Sequence, residues 1–144
     1  MNGPIFPYAN IIIGVLIFLI GFVFHWAGQL FSILNWELAA KAGLQEKRLL
    51  PEYKVYEHAF ATADSLIAWI YGIIAFGLII NAPWGYRLAC FPGAIFIYHA
   101  LCYWFWTGNQ TKAGRPMQSR NMRIGWFAAN SITGILAVLL AWNY

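Results

Sequence analysis

The chain has 144 residues, of which 61% are hydrophobic, 19% aromatic and only 10% charged, with a net charge of +4. Soluble globular domains carry about 25% charged residues, and the mean hydropathy of +0.59 also argues against one. A membrane protein is expected, as one domain over residues 1–144 with no room for an appended soluble domain.

The first apolar run covers about residues 9–35. No Lys or Arg precedes it, it is long for a signal-peptide core, and no small-residue cleavage site closes it, so it is expected to be retained as a span. Glu37 and Lys41, spaced i and i+4, continue the helix beyond the apolar run, with Gly43 as its stop and Pro51 as a turn before the second span. The second span runs over about 57–81 and the third over about 86–107, where Pro92 removes the backbone bond to the carbonyl of Leu88, a loss that either kinks the helix beside a cavity or is accommodated by neighbouring helices. Cys90 and Cys102 share that span about 18 Å apart, too far to pair. The fourth span is about 123–143. Continuous Ile, Leu, Phe and Ala runs of this length exclude a membrane β-barrel, which alternates over about ten residues per strand. The expected fold is all-α, an integral membrane four-helix bundle.

Eight of the nine basic residues lie on one side: Lys41, Lys47, Arg48 and Lys54 between spans one and two, and Lys112, Arg115, Arg120 and Arg123 between spans three and four. Only Arg87 lies opposite. By the positive-inside rule, loops one and three are cytoplasmic, both termini are extracytoplasmic, and the location is the inner (plasma) membrane. The positive charge is thus topological and argues no nucleic-acid partner; its partner is the lipid bilayer, with anionic headgroups as a further candidate for loop three. Trp and Tyr residues gather near span ends, as expected of rings at headgroup level.

Each span carries a stripe of small and polar residues, the kind that brings helices together in lipid. Span one has Asn10, Gly14, Gly21, His25, Gly28, Ser32 and Asn35; span two has Glu57, Ala61, Asp64, Ala68 and Tyr71. Span three has Pro92, Phe96, His99, Tyr103 and Trp106; span four has Trp126, Asn130, Thr133 and Ala137. At about 1.5 Å per residue from the cytoplasmic ends, Asp64 and Asn130 lie at about 10 Å, His99 at about 12 Å and His25 at about 15 Å. Four helices therefore offer one polar side chain each at similar depth. The expected site is a cluster of His25, Asp64, His99 and Asn130, with Glu57, His58, Gln29 and Tyr103 nearer its mouth and Tyr71, Phe96 and Trp69 as an aromatic wall.

A carboxylate in a membrane helix costs about 2.5–3.5 kcal/mol on insertion scales and usually marks a site. An Asp64 hydrogen bond that fixes helix register is the structural alternative. The leading functional reading is a pocket for a small amphipathic or lipophilic ligand, with Asp64, His25 and His99 as acid–base groups. The alternatives are a b-type haem with His25 and His99 as axial ligands, a zinc, copper or iron site of these two histidines with Asp64, and an accessory subunit of a larger membrane complex, or a homo-oligomer.

The segments "AFATADSLIAWIYGIIAFGL", "PWGYRLA", "PGAIFIYH" and "GNQT", together with Asn130, resemble small bacterial membrane proteins of the DoxX-like four-helix type. The resemblance spans residues 58–130, and its most specific match is Asp64 with the Trp84–Gly85 pair. It implies a four-helix fold and a polar position at Asp64, and it implies no activity. "HWAGQLF" in span one is also similar to haem-associated membrane proteins of the protoporphyrinogen-oxidase type, whose ligand histidine lies about two turns earlier than His25.

Overall fold

The computed structural model describes residues 5–45, 51–115 and 119–144, with the backbone alone at 52 and 53. Lys47 and Arg48 of the basic first loop, and residues 116–118 of the third, lie outside the described residues. Every regular element among the described residues is a helix: α1 (Ala9–Leu34), α2 (Trp36–Lys41), α3 (Pro51–Ile67), α4 (Ile70–Ile79), α5 (Pro83–Leu88), α6 (Cys90–Lys112) and α7 (Arg120–Asn143). Ala9–Leu34, Pro83–Lys112 and Arg120–Asn143 are long and apolar enough to cross a membrane; α3 and α4 meet that test together, across a 45° bend. The described residues therefore hold three such helices, or four if the bent pair is one span.

The middle of α1, Ile17–Ala27, is a π-helix. The burial pattern gives a reason. Ala9, Ile13, Ile17, Gly21 and His25 are all buried and follow one another every four residues. At 3.6 residues per turn each such step overshoots a full turn by about 40°, so an α-helix would carry His25 about 160° away from Ala9. The wider i→i+5 turns absorb that drift and keep His25 facing the interior.

Asn35 is not the end of a continuous inner stripe. It leaves helical geometry at φ −152°, and its side-chain oxygen accepts from the Leu38 N–H at 3.0 Å, capping a separate α2. Gly43, at φ +79°, ends α2: the N–H groups of Gly43 and Leu44 donate to the carbonyls of Ala40 and Ala39. Pro51 opens α3 at its first position, where its missing N–H is harmless, so the second helix begins before residue 57. The bend after α3 follows two hydroxyls, Thr62 and Ser65, that donate back to the carbonyls four residues earlier, which loosens a helix. Near Pro92 the helix is interrupted, at Ala89 between α5 and α6. The cavity described below does not involve it.

α6 and α7 pack antiparallel. Gly93 lies against Gly134, Trp104 against Phe127 and Gly108 against Arg123. At the first of these crossings a Cβ on either glycine would lie 2.8–2.9 Å from the other's carbonyl oxygen, so the backbones touch. α1 runs antiparallel to α3 and α4: Gly14 meets Ala75, Gly21 meets Tyr71, and the Trp26 indole N–H donates to the Ser65 carbonyl at 3.1 Å. The π-helical segment touches α3, α4, α6 and α7. It is the hub of the packing.

The interior combines Ile13, Ile17, Ile74 and Leu78 with small and aromatic residues and the polar His25, Ser32, Asp64, Thr107, Asn130 and Thr133, while Leu66, Phe76, Phe105 and Ile132 face outward. An outward apolar surface around a partly polar interior fits lipid as the solvent.

Candidate functional site

The site forms around His25, which α1 delivers from the π-helical hub. The Asn130 amide nitrogen donates to the Trp126 carbonyl at 2.9 Å, so its oxygen is the atom that faces His25 Nε2 at 2.8 Å. That assignment makes His25 Nε2–H the donor and leaves the lone pair of a neutral ring on Nδ1. Asn130 is fully buried, so it positions His25 from behind.

Under His25, Tyr71 and Phe96 stack with centroids 4.9 Å apart and planes within 5°; the His25 ring meets both edge-on. Gly21 makes room for this stack, since a Cβ there would lie 2.6 Å from Tyr71 Cγ and 3.0 Å from Phe96 Cζ. Trp126 stacks on His25 from another side at 5.4 Å.

Asp64 comes from α3, one turn before the bend, and His99 from α6, one turn after Phe96. His99 Nε2 lies 3.4 Å from Asp64 Oδ1, with side-chain exposures of 12% and 5%. This is longer than the roughly 2.7–2.9 Å of a strong charge-assisted hydrogen bond. The second carboxylate oxygen, Oδ2, is buried and has no hydrogen-bond partner among the described residues. The rings of His25 and His99 touch edge to face, with centroids 4.7 Å apart. One nitrogen from each ring and one Asp64 oxygen lie within 4.8 Å of one another.

These three side chains border a cavity of about 340 Å³. Of its walls, α1 supplies Phe24 and Gln29, α3 supplies Tyr56, Glu57 and Phe60, and α6 supplies Cys102, Tyr103 and Trp106. Trp126 and Met122 of α7 complete it, and Gly43, Leu44 and Gln45 lie across the end where loops one and three emerge. The Gln45 amide donates to Gln29 Oε1 at 3.2 Å and Ser32 Oγ at 3.1 Å, so the segment after α2 is tied over the cavity.

The structure thus brings His25, Asp64, His99 and Asn130 together and sets Glu57, Gln29 and Tyr103 on the cavity wall. Four expected lining residues lie elsewhere. Tyr71 and Phe96 are the sealed floor under His25, because their stack fills the space Gly21 leaves. His58 is exposed beside Pro51, Lys54 and Val55 on a separate surface, because it lies six residues before Asp64 and so about 120° around the helix from it. Trp69 is half exposed and does not line the cavity. Phe24, Phe60, Cys102 and Gln45 also border the cavity, a place the sequence did not assign them. Phe60 and Cys102 had a signal, lying four residues before Asp64 and three after His99; Gln45 had none, because its place depends on how the chain folds back after Gly43.

A haem between His25 and His99 does not fit this geometry. Axial metal–nitrogen bonds of about 2 Å on opposite faces of a macrocycle hold the ring centres more than about 6 Å apart, and here they are in contact at 4.7 Å. The arrangement instead offers a basic nitrogen, a carboxylate–imidazole pair and an aromatic wall, which suit proton exchange with a bound molecule or coordination of a small cation. Comparison with protein-family models, with curated proteins and with solved structures found no match.

Proposed function

We propose that this chain is a multi-pass inner-membrane protein, a four-helix bundle of DoxX-like shape, that binds a small amphipathic molecule in the His25–Asp64–His99 cavity. Its termini are extracytoplasmic, and loops one and three, with the cavity mouth between them, face the cytoplasm. The ligand's polar end meets Asp64 and His99, while its apolar body lies along Phe24, Phe60, Trp106 and Trp126. With His25 held by Asn130 and His99 paired to Asp64, the same groups serve as acid and base for a proton transfer on that molecule.

The observation that carries this reading is Asp64 itself. It is buried, its only ion-pair partner among the described residues is an imidazole at 3.4 Å, and one of its oxygens is unsatisfied at the edge of a cavity. A carboxylate kept only for helix register would be expected to have its oxygens satisfied by neighbouring helices. The mixture of aromatic wall and few convergent polar groups is typical of small-molecule sites.

The test is to purify wild type and Asp64→Asn in parallel and compare their organic extracts by mass spectrometry. A molecule retained by wild type and depleted at least tenfold in the folded variant is expected. Identical extracts containing bulk phospholipid alone would refute the reading. Cysteine-accessibility labelling from each side of the membrane, at positions 112 and 144, tests the orientation separately.

A further inference from the structure

We propose that His25, His99 and Asp64 form a binding site for one divalent transition-metal ion of zinc's class, with its open coordination positions turned into the cavity. The inference rests on the reading of this cavity as a functional pocket, and it names the group that would hold the ligand's polar end.

Four observations converge. First, the donor set is two imidazoles and a carboxylate from three different helices, with donor atoms no more than 4.8 Å apart. Around an ion with bonds of about 2.0–2.2 Å, tetrahedral donors are about 3.4 Å apart. The Asp64–His99 separation of 3.4 Å already has that value, and the widest gap has about 1.4 Å left to close, a matter of side-chain rotation. Secondly, His25 is held as a metal-ligating histidine usually is. Its Nε2–H donates to a fixed acceptor, Asn130 Oδ1, which is itself anchored to the Trp126 carbonyl, and its other nitrogen keeps a lone pair.

Thirdly, Asp64 Oδ2 is buried without a partner among the described residues, and none of the described residues that border the cavity is a Lys or Arg. Arg123, the partly buried cation of α7, is engaged elsewhere, donating to the Trp104 carbonyl at 2.7 Å and lying over that ring. A carboxylate in a membrane interior needs a counter-charge, and among the described residues only His99 is within ion-pair distance. Fourthly, three protein ligands with space beside them match a reactive metal site, which keeps a position open, whereas purely structural sites are usually closed by four. The cavity of about 340 Å³ supplies that space.

The ion changes what the pocket selects. Without the ion the cavity has two carboxylates, Asp64 at its inner end and Glu57 on its wall; a divalent cation makes the Asp64 end locally positive, which favours a ligand whose polar end is a carboxylate or another anionic oxygen. Binding takes the Nε2 lone pair of His99, so the single proton of the neutral ring sits on Nδ1, and a protonated imidazole has no lone pair to give. Affinity therefore falls as pH drops into the range where imidazoles protonate.

The test uses full-length protein in detergent, stripped with chelator and titrated with Co²⁺, reading the visible ligand-field bands, with Zn²⁺ as competitor and elemental analysis for stoichiometry. One equivalent is expected, displaced by Zn²⁺ and weakening as pH falls. His99→Gln and Asp64→Asn should lose at least 100-fold in affinity. Asn130→Ala, which removes no ligand, should lose about 10–100-fold, and His58→Ala should match wild type. Because Asp64→Asn preserves volume, it keeps the test open where alanine at that position fails to fold. Uptake below about 0.1 equivalent by wild type, or folded His99→Gln and Asp64→Asn proteins that bind Co²⁺ as wild type does, would overturn the site. A wild-type protein that retains an organic ligand but takes up no Co²⁺ removes the metal and leaves the pocket standing.

Discussion

Gly21→Ala is the smallest change that should disturb the site from beneath. The added Cβ would lie 2.6 Å from Tyr71 Cγ and 2.7 Å from its Cδ2, against about 3.5–4.0 Å for carbon atoms in comfortable contact. The overlap is about 1 Å, and neither ring can retreat, since Tyr71 is 1% and Phe96 0% exposed and the two are stacked on each other. Overpacking of this kind costs about 1–3 kcal/mol, while alanine's better helix propensity returns about 1 kcal/mol. The net is a loss of up to about 2 kcal/mol, and its upper half is expected because an overlap of about 1 Å is large and neither ring has room. Reversible unfolding in mixed detergent–SDS micelles measures it. Gly125→Ala is the control, because a Cβ there meets nothing within 4 Å; it should leave stability unchanged or raise it by up to about 1 kcal/mol. The reasoning fails if Gly21→Ala is as stable as wild type, or if the two variants shift together.

Asp64→Asn should leave the protein as stable as wild type or stabilise it by about 1–2 kcal/mol, because it removes a buried charge while keeping a polar partner for His99; destabilisation beyond about 3 kcal/mol in the same assay would assign the carboxylate a structural role. Arg123→Lys should lower stability by about 1–2 kcal/mol, because an ammonium cannot both lie flat on Trp104 at 4.0 Å and donate to its carbonyl; an unchanged unfolding midpoint would count against those contacts. In a Cys90→Ser background, Gln45→Ala should speed labelling of Cys102 by a water-soluble maleimide severalfold, since Cys102 borders the cavity that Gln45 lies across. Equal rates would mean that Gln45 closes nothing.

The long helices were legible because a lipid environment imposes long apolar runs on the chain. The level shared by His25, Asp64, His99 and Asn130 was legible because rise per residue converts sequence distance into depth. Which of them touch was not. Pairing depends on rotation about each helix axis, and α1 sets its rotation by a π-helical stretch that a period of 3.6 does not anticipate. The buried ladder Ala9, Ile13, Ile17, Gly21 and His25 was the available signal, a step of four sustained too long for an α-helix. Rotation also explains why His58, adjacent to Glu57, faces away from the wall that Glu57 joins. The bend after Ile67 has no Gly or Pro to announce it; Thr62 and Ser65 were its only local cue. Gln45 was beyond reach, because its position is set by partners on α1, 13 and 16 residues away in sequence.

The account turns on two imidazoles and a carboxylate meeting at one buried point, and the chain's three histidines make this directly measurable. Protein labelled with ¹⁵N and ¹³C at histidine and reconstituted in lipid nanodiscs should give three imidazole spin systems. Two of them, His25 and His99, should show a through-space ring-to-ring cross-peak, with the His25 signal that of the Nε2–H tautomer. Asp64→Asn should shift His99 far more than His58. An absent cross-peak between His25 and His99, or a His99 signal indifferent to Asp64, would contradict the convergence and with it the pocket.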